Sequence, residues 1–354
     1  MAGAQTEAPL IFWASGDLWL WSASAPAMTP LTADGTVSSP SLSPAGGWLA
    51  YRALSPVSRE ALDRLQTSGF IAEYDLPTDI FLVDLNTQQT LSIAPQPAGA
   101  SLFVEGVADN ALVRSEPAWS PEGDAVAWVE FSFGASNGTL ITYRLAEAST
   151  SIVATGITIV DDRTPEVRWG RTGIVLRANN DDTGKQLFQL YGLEAAVWTT
   201  LQITVPDDSY VQLFDWVDSL QGELLGVLLS DGSWRLLDPR TGVEVNGGTP
   251  ALYSRFDAAA MLALRFDVAP ETGFFWEIIT PDAQATSPAF PGTPGHVAIA
   301  PDNQTLAFIG YPEFGSLAIW REGTISAIAG TGSSDPALKV AAVVFWSPLA
   351  WRVP

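Results

Sequence analysis

One short run in the chain has the spacing of a serine nucleophile elbow, Gly134-Ala135-Ser136-Asn137-Gly138. That motif works where a strand turns sharply into a helix and a histidine stands ready to take the serine proton. Here the run leads into Thr139-Leu140-Ile141-Thr142-Tyr143, which alternates like a strand, and the one histidine of the chain is His296. A polar Gly/Ser turn accounts for it better. His296, next to Val297 at the start of an expected strand, reads as a structural histidine, because a triad or a metal centre needs several partners. In Asn179-Asn180-Asp181-Asp182-Thr183-Gly184 the oxygen ligands Asn179, Asp181 and Thr183 alternate and glycine stands sixth, as in a calcium loop. Position twelve is Leu190, where that loop needs glutamate, so a polar hairpin turn is the first reading and calcium the second. No other cofactor is expected. Asp161, Asp162, Asp207 and Asp208 fall in strand connections. Paired carboxylates about 5–9.5 Å apart can hydrolyse glycosides, but solvated loop tips are the commoner fate of such residues.

Composition narrows the chemistry further. The chain has 354 residues, no cysteine, 39 acidic and 17 basic residues, and a formal charge of −22. Without cysteine there are no disulfides, thiolate metal sites or thiol nucleophiles. The charge comes from a shortage of bases, since Lys185 and Lys339 are the only lysines. Nucleic acids and anionic membranes both need clustered Lys/Arg, so neither is an expected partner. No uncharged apolar run reaches the roughly 18 residues a membrane helix needs. Residues 1–9, MAGAQTEAP, carry neither a basic nor an apolar signal segment and read as a flexible stretch. An extracytoplasmic chain whose signal has been removed fits this start, and a cytoplasmic one stays open.

The elements that would position any site show themselves as repeats. SLSPAGGWLAYRA (41–53), AWSPEGDAVAWVE (118–130) and AIAPDNQTLAFIG (298–310) align without gaps over 13 positions. Pro44, Pro121 and Pro301 coincide, as do Tyr51, Trp128 and Phe308. Each reads as strand, tight turn, strand. A second hairpin type recurs at 16–32, 78–94, 138–154, 185–201, 232–248, 273–289 and 315–330. First strands are expected near 40, 117, 166, 213, 253, 296 and 342, the last five intervals being 49, 47, 40, 43 and 46 residues. Four short antiparallel strands in such a unit make a β-propeller blade. The sequence therefore predicts an all-β, closed β-propeller of seven four-stranded blades over 10–354, with six or eight left open. The N-terminal strands and the one at Val343–Ser347 share a blade, while Leu349–Val353 competes with Leu10–Trp13 for its second position. Large aromatics packing between blades account for most of the 14 tryptophans.

Ser-Pro-x-Gly followed by Leu-Ala-Tyr, and Gly-Asp-Leu-Trp followed by Leu31-Thr32, resemble the WD40-like repeat of TolB-type propellers. The propeller domains of tricorn protease and of prolyl-oligopeptidase relatives share that repeat. The resemblance spans essentially the whole chain, most clearly at 10–53, 117–155 and 296–330. It implies an isolated propeller, without the additional domain of TolB or a peptidase domain, and it implies no activity.

Alternating strands put the short turns, such as Pro121–Asp124, on one face and nearly all extra sequence on the other. The largest insertion is 54–77. Ser55 can cap a helix, Pro56 suits its first position and Gly69 its end. Val57, Ala61 and Leu65 form one apolar stripe, with Arg59, Glu60, Asp63 and Arg64 opposite. The connection 95–115 emerges beside it. We therefore expect a non-catalytic module that holds a protein or peptide on this long-loop face, as a monomer or as part of a larger assembly. Its binding residues would be Arg64, Phe70, Glu73, Tyr74, Asp75, Asp161, Asp162, Asp207 and Asp208. The alternative is a carbohydrate-binding or carbohydrate-active propeller, which would need an exposed tryptophan beside carboxylates.

Overall fold

Alternation turns most of the described residues into strand. In Asp17–Ser22 every second side chain is buried and the rest are half-buried, as in a strand with one face against a core. The computed structural model describes residues 9–23, 25–68, 75–159, 163–177, 185–206, 209–219, 222–229, 234–245, 263–269, 273–279, 290–291, 297–300, 305–310, 315–321, 324–333 and 338–346. They fall into two compact units, one of residues 36–246 and one that combines 1–35 with 247–354. Among the described residues no helix is long and apolar enough to cross a membrane.

The chain opens with β1 (Leu10–Ala14), β2 (Asp17–Ser22) and β3 (Ala25–Pro30), paired antiparallel in that order. The recurring Gly-Asp start has a physical cause here. Asp17 Oδ1 accepts from Thr32 Oγ1 (2.8 Å), Asp34 N (3.0 Å) and Gly35 N (3.1 Å), which fixes where the chain leaves the hairpin. Gly16 stands at φ 81° with the carbonyl oxygen of Gly35 only 2.3 Å from where a Cβ would lie, so no other residue fits there.

The 36–246 unit holds four sheets. The first has the order β4 (Val37–Leu42), β5 (Trp48–Leu54), β6 (Thr78–Asp84) and β7 (Gln89–Ala94), with helix α1 (Pro56–Ser68) inserted between β5 and β6. In the second, β8 (Leu112–Arg114) and β9 (Ala118–Trp119) both pair with β10 (Ala125–Ser132), followed by β11 (Asn137–Arg144) and β12 (Ser149–Thr158). The third is β13 (Val167–Trp169), β14 (Gly173–Arg177), β15 (Lys185–Gly192) and β16 (Val197–Thr204). The fourth is β17 (Val211–Ser219), β18 (Gly222–Leu229) and β19 (Trp234–Leu237).

Two details depart from the sequence-based expectation. The strand expected near 117 starts earlier, at Leu112, and is interrupted at Ser115, whose Oγ accepts from Val129 N at 2.9 Å. Among the described residues, the hairpin expected at 232–248 returns only as a bridge between Leu237 and Glu244.

Each pair of neighbouring sheets in this unit shares its own core. Ile80, Leu82, Trp119 and Trp128 join the first and second, Val129, Leu140, Val167 and Leu176 the second and third, and Phe188, Leu201, Phe214 and Val227 the third and fourth. Tryptophans add a directional link. Trp119 Nε1 donates to Ser41 O at 2.8 Å and Trp216 Nε1 to Arg168 O at 3.3 Å, each reaching the first strand of the preceding sheet. At the turn end Ser43 Oγ donates to Gly123 O at 3.2 Å, and a Cβ on Gly123 would stand 2.4 Å from Ser43 Oγ.

The remaining strands belong to the unit that holds both chain ends. They are β20 (Ala263–Ala269), β21 (Gly273–Ile279) and β22 (Phe290–Pro291), then β23 (Val297–Ile299), β24 (Thr305–Ile309), β25 (Leu317–Arg321) and β26 (Thr324–Ala327), and lastly β27 (Val340–Trp346). The strand expected near 253, His296 and Leu349–Val353 lie outside the described residues. β27 pairs with β1, placing Trp346 opposite Leu10, so strands from the two ends share one sheet as the repeat register requires. Among the described residues the sheets number seven. Gly134–Gly138 opens into β11, which is no nucleophile elbow.

Because β1 depends on β27 for one edge, deletion of residues 342–354 should abolish cooperative unfolding or lower the melting temperature by more than about 10 °C, an effect of a few kcal/mol for a chain of this size. Calorimetry checks this, and an unchanged transition would contradict the pairing.

Candidate functional site

The long-loop end of the 36–246 unit carries a second, smaller core. Ser55 caps α1 by accepting from Ser58 N at 3.2 Å, and Ser58 Oγ donates to Pro77 O at 2.6 Å. The stripe read from sequence faces inward. Ala61 is fully buried against Leu102 and Ala111, with Val57, Leu76 and Phe133 around them, while Glu60, Asp63 and Arg64 face solvent. The helix therefore lies on the 95–115 connection, as expected.

That connection is braced from within. Asn110 Oδ1 accepts from Ser101 N at 2.8 Å, Asp109 Oδ1 accepts from Phe103 N at 2.6 Å, and Ser101 Oγ donates to Ala108 O at 2.9 Å. Val107 N reaches Val104 O at 3.0 Å across the tip. Phe103, at φ 52°, packs edge-on against Phe133 with ring centroids 5.2 Å apart.

Beside this core runs a line of alternating charges. Arg114, with its side chain 2% exposed, donates from Nη1 to Thr78 O (2.6 Å), from Nη2 to Pro95 O (3.0 Å) and from Nε to Glu130 Oε2 (3.1 Å). Asp79 Oδ1 lies 3.6 Å from its Nη1 and accepts from Gln96 Nε2 at 3.2 Å. Arg52 Nη1 donates to Arg114 O at 2.9 Å, and its Nη2 lies 4.0 Å from Asp75. Asp75 Oδ2 accepts from Thr164 N (2.7 Å) and Thr164 Oγ1 (2.5 Å). Further along, Arg168 pairs with Glu116, lies 3.8 Å from Glu166 and sits over the Phe214 ring at 5.2 Å, while Glu166 also receives Arg177 Nη1 at 2.7 Å.

Burial raises the Asp79 pKa above its ordinary value, against the hydrogen bond from Gln96 and the charge of Arg114. Burial likewise lowers that of Arg114, against Glu130 and Asp79. At Arg168 burial works against the charge, but Glu116, Asp215 and Glu166 outweigh it and hold the guanidinium above its ordinary pKa. These charges are spent on one another and on backbone carbonyls. They tie β5, β6, β8, β10, β13 and β14 together at one end. Among the described residues no group of three or more metal-ligating side chains gathers.

Of the residues singled out in the sequence, the structure brings Asp75 into this network. Arg64, exposed on the helix, donates from Nη2 to Leu102 O at 2.8 Å. Phe70, Glu73, Tyr74, Asp161, Asp162, Asp207, Asp208, Asn179, Asp181 and Thr183 lie outside the described residues. Sequence reasoning missed Arg52, Arg114, Glu116, Glu130, Glu166 and Arg168. The signal was slight, since in a chain so poor in bases each arginine near a strand end deserved a partner search. The one exposed tryptophan among side chains described is Trp198, 37% exposed, on β16, at the edge of its sheet opposite β13.

Loss of the Arg114 guanidinium should strand Glu130 and Asp79 in the interior. Arg114→Leu is expected to cost about 3–5 kcal/mol in urea unfolding, and a cost near zero would contradict the arrangement. For Asp79 the sign follows from its raised folded pKa. Its contribution is fully present below 3.8, the ordinary aspartate value, and is lost as pH rises through the folded pKa. Asp79→Asn should therefore gain stability relative to wild type as pH is raised through that window, and a flat or falling difference would contradict the burial effect.

No family model and no curated protein sequence matches this chain. Solved structures do. An oligogalacturonate lyase in complex with manganese is similar at a TM-score of 0.52 and 13% identity, over 88% of this chain and 81% of that one. TolB from Acinetobacter baumannii is similar at 0.47 and 13%, over 97% and 67%. The β-propeller domain of the trilobed protease from Pyrococcus furiosus is similar at 0.43 and 12%, over 82% of each. At 13% identity the likeness to the lyase speaks for fold alone, and with the seven small antiparallel sheets among the described residues the fold class is an all-β propeller.

Proposed function

We propose that this chain is a non-catalytic propeller that binds a protein or peptide through the long-loop face of its 36–246 unit. The observation that carries the reading is that the two longest insertions there, α1 and 95–115, build a core of their own. Ala61, Leu102 and Ala111 are fully buried in a cluster separate from the three inter-sheet cores. Extra sequence that folds rigidly over strand ends is how scaffold proteins carry recognition surfaces. The charges next to it are mutually paired, an arrangement suited to holding a surface in shape. The carbohydrate alternative needs an exposed tryptophan beside carboxylates, whereas the exposed tryptophan among the described side chains, Trp198, stands on β16, at the other edge of its sheet from β13 and its Arg168.

Replacement of residues 56–74 by a short Gly/Ser linker tests the reading. The shortened protein should keep its sheets, seen by circular dichroism, yet bind a partner purified on the wild-type chain at least tenfold more weakly. Undiminished binding by the shortened protein would refute the location. Peptide or glycoside turnover that disappears in Glu116→Gln or Glu166→Gln would replace the binding reading with an enzymatic one.

A further inference from the structure

The 101–111 loop spends its polar groups in an unusual way for a surface connection. Ser101, Phe103, Val107 and Asn110 are locked by side-chain and backbone hydrogen bonds within the loop. Leu102 and Ala111 anchor its two ends at 0% exposure. Phe103 is held in the left-handed region, where a bulky residue is strained. All this bracing supports a tip, Val104-Glu105-Gly106-Val107, whose four residues are all exposed. Val104 is 36% and Val107 52% exposed. If the loop were only a connection, its braces could relax and its valines turn inward. Holding two aliphatic side chains fixed in water raises the free energy of the unbound chain, and that cost is recovered when something covers them. A fixed tip also loses little conformational freedom on binding.

The charge around the tip says what covers it. Glu105 sits between the two valines in sequence and is exposed, the one charged residue of the tip. The chain as a whole carries −22. We infer that the 101–111 loop is a preorganised recognition loop, and that its partner is a protein segment that presents aliphatic side chains flanked by Lys or Arg. This inference rests on the protein-binding reading above and names the partner class and the contacting residues. An anionic membrane is disfavoured by the same charge, since it would repel Glu105.

The test selects peptides from a random 12-residue phage library on the full chain, then measures the selected peptides by fluorescence polarisation. The consensus should interleave aliphatic and basic residues, and binding should weaken as NaCl is raised from 50 to 500 mM. The double variant Val104→Ser/Val107→Ser should weaken binding about tenfold, the effect of truncating one good interface contact. Its melting temperature should stay within about 3 °C of wild type, because both valines are exposed and surface substitutions change stability little. Acidic or purely apolar selected peptides would overturn the inference, as would binding indifferent to the double variant. Peptides that bind indifferently to the double variant, yet are lost with the 56–74 linker replacement, would leave the long-loop face standing and remove the loop. Peptides indifferent to both changes would remove both. Co-sedimentation of the chain with phosphatidylcholine vesicles, lost in the double variant, would assign the tip to a lipid surface and overturn the protein partner.

Discussion

Arg114 is the residue on which the long-loop end of the 36–246 unit depends. Strands that stop short leave carbonyl groups pointing at one another, and these must find donors. A single guanidinium at 2% side-chain exposure supplies them to Thr78 and Pro95 and meets the carboxylates of Glu130 and Asp79. Its own carbonyl takes the next arginine, Arg52, which in turn approaches Asp75. The start of β6, the end of β7's connection and the junction of β8 with β10 are thereby fixed to one another. Replacing the whole buried network by apolar side chains of the same shape would cost little net stability, whereas removing the guanidinium alone strands its carboxylates. What the guanidinium does provide is a defined geometry, since only one arrangement satisfies all its donors. That geometry sets the platform on which α1 and the 101–111 loop rest.

The sheets beneath are joined by simpler means. Aromatic and branched side chains fill the space between neighbouring sheets, and the indoles of Trp119 and Trp216 pin the first strands of the second and fourth sheets to those of the first and third. A buried indole N–H without a partner would be expensive, so the same residue that supplies apolar area also fixes spacing. The repeat tolerates divergence for this reason. It needs an aromatic, an alternating strand and a Gly- or Pro-bearing turn, and those can be kept while most other positions change.

Much of this was legible in the sequence because it rests on local chemistry. Period-two alternation marked the strands, Ser55 and Pro56 marked the start of α1, and Val57, Ala61 and Leu65 marked its buried side. The helix capping and the burial of Ala61 followed as read. What stayed hidden depends on contacts between residues far apart in the chain. Asp75 and Thr164 are 89 positions apart and Arg52 and Arg114 are 62 apart, and no spacing rule connects them. The piece at 112–114 was missed because its three residues are too few for an alternating pattern. The polar side of the helix marks Arg64 as exposed, and no spacing rule shows that its guanidinium also reaches Leu102 O, 38 positions away. The exposure of Val104 and Val107 was equally invisible, since an apolar residue in a connection is ordinarily an anchor.

Everything said of the long-loop face turns on its being formed before any partner arrives. Amide hydrogen exchange on the free chain measures that directly. Preorganisation requires the amides of Ser101, Phe103, Val107 and Asn110, each donated within the loop, to exchange far more slowly than unprotected amides, at rates approaching those of β10. Exchange of these four at unstructured-chain rates, while the strands stay protected, would show a loop that orders only on binding and would contradict a preformed surface.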